Sequence, residues 1–251
     1  MKLKIGVFKF TSCSGCQIEL LRLNERLPEL LNLVSIQNWA MASSNLQQGP
    51  YDVALVEGGI STPEAIEEVK MIRKNSKTLV AFGDCAVTGC IPSIRNWMKQ
   101  REAESLVYPN PEHITSTKVY AIDEYVKVDV YLKGCPPNLD NVLEVFKAAI
   151  LDVRPRLRQH PVCIECKFYE NECLLTTYKQ PCMGPVTAAG CGAICPLVGR
   201  TCEGCYGPMS NPNVKAMVEK LREIGLSDDD IVKKFRKYAG MSEHYREVAK
   251  L

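Results

Sequence analysis

No stretch of this chain carries about eighteen consecutive apolar residues, so no segment reads as a bilayer-spanning helix. The first residues, MKLKIGVFKFTSC, have no apolar run between a basic flank and a small-residue cleavage site, and no twin-arginine pair. Neither kind of export leader is therefore expected. Charge of one sign is also missing. The 31 basic and 29 acidic residues leave a formal net charge of +2, which offers no footprint for nucleic acid. Together these absences point to a cytoplasmic protein, where thiols stay reduced and clustered cysteines more often bind metal than form bridges. Cysteine is what the chain has in excess, 13 among 251 residues.

Eight of the 13 lie between Cys163 and Cys205, separated in turn by 2, 6, 8, 8, 3, 6 and 2 residues. Eight thiolates divide into two sets of four, the number that two cubane iron-sulfur clusters need, and the short spacings let one loop wrap a cluster from two sides. Two tetrahedral zinc sites would accept the same sulfurs. Zinc modules, however, usually repeat a regular pair of CxxC knuckles, and the inner spacings here are uneven.

The first half alternates strands and helices. Residues 3–9 make a β-rich strand, and the segment after TSCSGC reads as a helix with Leu20, Leu23 and Leu27 on one side. Ile18 and Leu21 fall on another side, which predicts burial all round. Further strands are expected at 33–39, 52–56, 78–82 and 128–132. Between the third and fourth, Thr62 caps a helix that starts at Pro63. Its acidic residues lie early and its basic ones late, and its apolar stripe is Ala65, Ile66, Val69 and Ile72. Apolar strands separated by helices predict an α/β fold, a doubly wound, flavodoxin-like parallel sheet over residues 1–150. A small loop-rich domain at 151–210 would carry two clusters, and a helical tail would occupy 211–251.

In such a sheet ligands gather at the carboxyl ends of the strands. Cys13 and Cys16 follow the first strand, Cys85 the fourth and Cys135 the fifth. Four sulfurs from three strand ends suffice for a third cubane, with Gly15, Gly83 and Gly134 permitting close backbone approach. Taken singly, CxxC after a strand is also a thioredoxin-type redox pair, and a lone Cys85 is also a small buried hydrophobe. Twelve cysteines then serve three clusters, and Cys90 is left as an unliganded buried thiol.

The order CxGC, GxCA, GCPP, followed by a cysteine-rich segment, resembles the electron-transferring small subunit of nickel-iron hydrogenases over residues 3–208. It is most similar to the cytosolic heteromultimeric group. The resemblance implies three 4Fe-4S clusters: a proximal one on Cys13, Cys16, Cys85 and Cys135, a distal one on Cys163, Cys166, Cys173 and Cys182, and a medial one on Cys191, Cys195, Cys202 and Cys205. Relatives that begin the distal set with HxxC have histidine where this chain has Cys163; His160 is then a surface histidine. Cys195 stands where those relatives carry proline, which implies a four-iron medial cluster. GDCAVTGC places Cys90 where the family has a second glycine. Glu57, Gly58 and Gly59 match the family's EGA-type turn. The partners implied are the nickel-iron large subunit and a further electron-accepting iron-sulfur or flavin subunit, with no nucleic acid and no membrane span.

Consistently, the chain has no two CxxC pairs near opposite ends of a long subunit that a nickel-iron centre would need, so hydrogen would be split elsewhere. Glu19 and Glu57 are candidate proton carriers at the partner interface, while a carboxylate near a helix N-terminus is also favourable in itself. The tail reads as two capped amphipathic helices from Asn213 and Ser227, stopped by Gly225 and Gly240, with a short third at 242–251. These either pack on the chain or dock a partner. The cluster subunit of NADH or quinone oxidoreductases shares the fold, but its first motif has adjacent cysteines and it lacks the eight-cysteine extension. The cysteine count would also suit a zinc-stabilised interaction module or a free-standing ferredoxin. The electron acceptor, whether nicotinamide, ferredoxin, deazaflavin or disulfide, leaves no mark on the sequence.

Overall fold

Apolar, β-branched runs and short turns put five strands side by side in the computed structural model, which describes residues 2–23 and 26–250. In chain order the first unit, Met1–Pro155, runs β1 (Leu3–Lys9), α1 (Gly15–Leu21), α2 (Arg26–Leu33), β2 (Val34–Trp39), β3 (Tyr51–Glu57), α3 (Pro63–Lys74), β4 (Ser76–Phe82), α4 (Asp84–Thr88), α5 (Gln100–Ser105), β5 (Val130–Leu132) and α6 (Leu139–Ile150). All neighbouring strands pair in parallel, in the order β2-β1-β3-β4-β5. This is the flavodoxin-like order expected from the sequence, with its switch point between β1 and β3.

The central strands are covered on both faces, which is why they read as unbroken apolar runs. Ala54, Val56, Leu79 and Ala81 pack with Val69 and Ile72 of α3. On the other face Ile5, Val7, Leu20, Trp39 and Phe146 surround one narrow pocket beneath α6. Helix α3 starts as its cap predicts: the Ala65 N–H donates to Thr62 Oγ1 at 3.2 Å, and Pro63 takes the first turn, where no N–H is needed.

The first helix departs from expectation. It is seven residues long, and Ile18 and Leu21 are each 52% exposed. A helix of two turns offers the sheet one side only, here Cys16, Gln17, Glu19 and Leu20, so burial all round does not occur among the described residues. A second helix, α2, takes up the remainder; the Leu27 side chain lies outside the described residues.

The second unit, Arg156–Leu251, has little regular structure among its cysteines: α7 (Val162–Phe168) and the single turn α8 (Ile194–Leu197). Then come α9 (Val214–Glu223), α10 (Asp228–Ala239) and α11 (Arg246–Ala249). Both longer helices start at the caps read from sequence, Ala216 N–H on Asn213 Oδ1 at 3.0 Å and Asp230 N–H on Ser227 Oγ at 3.2 Å. Gly225 is left-handed, φ +96°, as a helix stop requires. Gly240, φ −61°, is right-handed and is not such a stop, because the chain turns on towards Tyr245 without reversing its hand.

The tail is packed. Met217, Leu221, Ile231, Phe235 and Tyr245 share one core with Val162, Leu175, Met183, Val186 and the cysteines Cys182 and Cys202. The cysteine-rich loops have too few apolar side chains to bury one another, and the tail supplies them. Tyr245 stands edge-on to Phe235 with centroids 5.0 Å apart, and its hydroxyl donates to Val186 O at 2.8 Å. Lys234 and Lys237 of α10 both reach Glu203, between Cys202 and Cys205, at 2.9 Å. Phe235→Ala is expected to cost about 3–5 kcal/mol through the cavity it leaves. Lys237→Met, which removes one exposed ion pair, is expected to cost under about 1 kcal/mol. Denaturant midpoints of the two variants check this; equal shifts would mean that ion pairs rather than apolar packing hold the tail.

Candidate metal centre

Four of the five cysteines of the first unit stand where a strand runs out; the fifth, Cys90, follows α4. The loop from β1 to α1 carries Cys13 and the first turn of α1 carries Cys16, with left-handed backbone at Ser14, φ +68°, rather than at Gly15. Cys85 opens α4 behind Gly83, φ +84°, and Cys135 follows Gly134, φ +130°, after β5. These turns bring Cys16, Cys85 and Cys135 together: the sulfurs of Cys85 and Cys135 lie near enough to Cys16 to resist its ionisation. Burial first, then the Glu57 carboxylate and those two thiols, push Cys16 well above the ordinary thiol range. Cys13 stays exposed on the same loop, its sulfur accepting the Gly15 N–H at 3.4 Å.

Cys90 is fully buried in this group, and its thiol hydrogen-bonds with Cys135 and Cys85. Those bonds, with burial next, raise Cys90, while the bond from Cys90 draws Cys135 down to about 7. Beside them Asp84 has no exposure. Its Oδ2 accepts from Thr88 Oγ1 at 3.0 Å, its Oδ1 has no hydrogen-bond partner, and burial raises its carboxyl to about 7.

Glu57, at the end of β3, is also fully buried. It accepts the Cys16 N–H at 3.3 Å and Gln17 Nε2 at 2.8 Å; Gln17 in turn accepts Trp39 Nε1 at 2.6 Å. These bonds fix the CxxC turn against the sheet. Glu19 is 8% exposed and pairs with Arg22 at 2.8 Å.

In the second unit Cys163, Cys166, Cys173 and Cys182 line one almost wholly apolar cavity of about 80 Å³ together with Leu174, Leu175, Pro185 and Pro196. Burial, then the sulfurs of Cys182, Cys166 and Cys173, push Cys163 up to about 12. The other four come together in pairs. Cys191 and Cys195 flank the left-handed Ala193, φ +51°, and Cys202 and Cys205 flank Gly204, φ +88°. Cys202 adjoins the first set, its N–H donating to Cys182 Sγ at 3.2 Å. His160 is half-buried, with Nδ1 3.2 Å from Pro161 O.

Among the described residues no three His, Cys, Asp or Glu donors converge closely enough to hold one metal ion. What the donors share is their surroundings. Backbone N–H groups of Gly184 and Cys202 point at Cys182, those of Ala193 and Ile194 at Cys191, that of Gly204 at Cys202, and those of Leu175 and Thr176 at Cys173. Amide donors aimed at sulfur, in loops of alternating handedness, form concavities suited to an anionic sulfur-bound group. The chemistry of this donor set therefore fits iron-sulfur clusters.

Sequence reasoning missed the carboxylates that organise these loops. Glu165 and Glu203 each sit inside a cysteine pair, CIEC and CEGC, and a charged residue between two closely spaced cysteines is the available signal. Gln17 and Trp39, which support Glu57, had no sequence signal of their own.

Comparison with known proteins places the chain. The family model for the NADH ubiquinone oxidoreductase 20 Kd subunit matches residues 13–149, which hold β2 to β5 and the strand-end cysteines. Sulfhydrogenase 2 subunit delta of Pyrococcus furiosus is 39% identical over 240 residues, covering 94% of this chain and 99% of that protein. One subunit of the F420-non-reducing hydrogenase of Methanocaldococcus jannaschii is 32% identical, over 82% of each chain. Among solved structures, an NAD+-reducing nickel-iron hydrogenase in the H2-reduced state has a chain 26% identical with TM-score 0.57, covering 62% of this chain and 96% of that one. The reduced nickel-iron-selenium hydrogenase of Desulfomicrobium baculatum, 18% identical with TM-score 0.59 over 83% of this chain and 95% of that one, shares the fold. On the strength of these likenesses, above all 39% identity over nearly the whole of both chains, the chain belongs to the family of nickel-iron hydrogenase small subunits.

Proposed function

We propose that this chain is the electron-relaying small subunit of a cytoplasmic nickel-iron hydrogenase, holding three 4Fe-4S clusters between a nickel-iron large subunit and an electron-accepting iron-sulfur or flavin subunit. The observation that carries the reading is the gathering of thiols, four of them around one apolar cavity, with backbone N–H groups turned onto the sulfurs of Cys182 and Cys191. Cys13, Cys16, Cys85 and Cys135 would hold the proximal cluster, Cys163, Cys166, Cys173 and Cys182 the distal one, and Cys191, Cys195, Cys202 and Cys205 the medial one. Bound there, the clusters supply one-electron transfer at potentials set by burial, hydrogen bonds to sulfur and local charge.

The chain's own residues do the rest. Leu174, Leu175, Pro185 and Pro196 give the distal sulfurs an apolar wall. Glu57 holds the CxxC turn through the Cys16 amide, and Cys90 donates towards Cys135, stabilising negative charge on it. Next to the exposed Cys13, Ile18 and Leu21 stand out of α1. Apolar side chains beside a ligand on the rim suit a covered face, the side on which the large subunit would sit. Glu57 and Glu19 are the carboxylates that would pass protons in this subunit; within the chain Glu57 is tied to Cys16 and Gln17, and Glu19 to Arg22.

Gly83 gives the proximal site its sharpest geometric requirement. A Cβ there would lie 2.2 Å from Cys16 Sγ, and φ +84° already disfavours any other residue. Gly83→Ala is expected to lower iron and labile sulfide by about one cluster's worth, roughly four of each, measured on the complex purified without oxygen; unchanged iron would remove Gly83 and Cys16 from the ligand turn. The whole reading is tested on the unaltered complex. About twelve irons and twelve sulfides in this subunit, with nickel on a co-purifying larger chain, are expected. Zinc without labile sulfide would overturn it in favour of a zinc-stabilised scaffold.

A further inference from the structure

Glu165 lies inside the first cysteine pair of the second unit, yet its side chain serves the second set. It projects from α7 between Cys163 and Cys166, and its carboxylate is 4% exposed. Oε1 accepts the Gly190 N–H and Oε2 the Gly192 N–H, both at 3.0 Å, so the two oxygens clasp the residues on either side of Cys191. Both glycines have positive φ, 129° and 70°, which turns their N–H groups inward. Cys191 Sγ lies 4.0 Å from Oε2, and Arg158 Nη1 binds Oε1 from the solvent side.

A glutamine could not reproduce this arrangement. It has one acceptor oxygen, and its amide NH₂ would face a glycine N–H. Two amides on two oxygens select a carboxylate, at the cost of burying a charge that Arg158 offsets from one side only. The charge thus left beside Cys191 has no use in packing. It matters to whatever electron-accepting group that sulfur holds.

We propose that Glu165 is a positioning and charge-setting residue for the group on Cys191: it fixes the 190–192 loop to α7 and holds that group's reduction potential down, with Arg158 moderating the effect. This rests on the reading that Cys191 ligates an iron-sulfur cluster. A fixed negative charge near a redox centre disfavours the added electron. Removing the carboxylate and removing the cation must therefore shift the potential in opposite directions. A purely structural role for either residue predicts no such pair of signs.

The test is a redox titration followed by electron paramagnetic resonance, on the complex purified without oxygen. In Glu165→Gln, one cluster's reduced-to-oxidised ratio at fixed applied potential is expected to rise about tenfold, a one-electron shift of about 59 mV. In Arg158→Gln the same signal's ratio is expected to fall, by about two- to threefold, because a guanidinium 55% exposed is partly screened. Shifts of the same sign, or none with iron content intact, overturn the inference. If Glu165→Gln fails to assemble, Arg158→Gln decides alone, since it removes no buried acceptor; an unchanged ratio then overturns the inference. Absence of iron and sulfide from the unaltered complex would instead overturn the underlying reading.

Discussion

Crowding buried sulfur is the constraint on which this molecule is built. A thiol buried among other thiols resists losing its proton, as Cys16, Cys163 and Cys202 do, each for reasons of burial first and neighbouring sulfur or carboxylate after. Such a group of side chains does not stabilise a fold by itself. It must be held together by the rest of the chain until a cationic centre takes the protons' place.

The two units meet that demand by different means. The first uses a parallel sheet whose strands all point their carboxyl ends one way, so that loops far apart in sequence deliver sulfur to one region. Rigidity there comes from β3 and β4, whose inner residues are almost without exposure, and from Glu57, which reaches back from the sheet to the Cys16 amide. The second unit has no sheet among its described residues. Its loops are held by the helical tail, through a core running from Val162 to Tyr245, and by the Lys234 and Lys237 grip on Glu203. A tail without cysteine is thus part of the cysteine site.

Much of the sheet was legible because burial on both faces leaves an unmistakable trace: Leu55, Val56, Leu79 and Val80 belong to apolar runs that only a covered strand tolerates. Helix caps were equally plain, since Thr62, Asn213 and Ser227 act on amides three residues away. What failed depended on distant partners. Ile18 and Leu21 read as core because they are apolar, but no described element of this chain covers them. Gly240 read as a stop because glycine often is one, but only the path of the following chain decides its φ. The site was legible as a count of sulfurs. Its supporting groups were not, because Gln17 meets Glu57 across 40 residues and Glu165 meets Gly190 across 25.

Those long-range carboxylates show how a nearly neutral chain manages local charge. The two acidic residues between cysteines, Glu165 and Glu203, are each matched from outside the loop, by Arg158 and by two lysines of α10. Neither is paired within its own motif, so each ties a cysteine loop to a separate segment while keeping its own charge compensated. The difference between them lies in solvent. Glu203 is a third exposed and shares two cations, so its charge is quenched. Glu165 is buried, with one cation at the edge and both oxygens committed to amides around Cys191. Of the two, only Glu165 keeps an electrostatic hold on the sulfur beside it, because a charge acts over distance in proportion to how poorly its surroundings screen it.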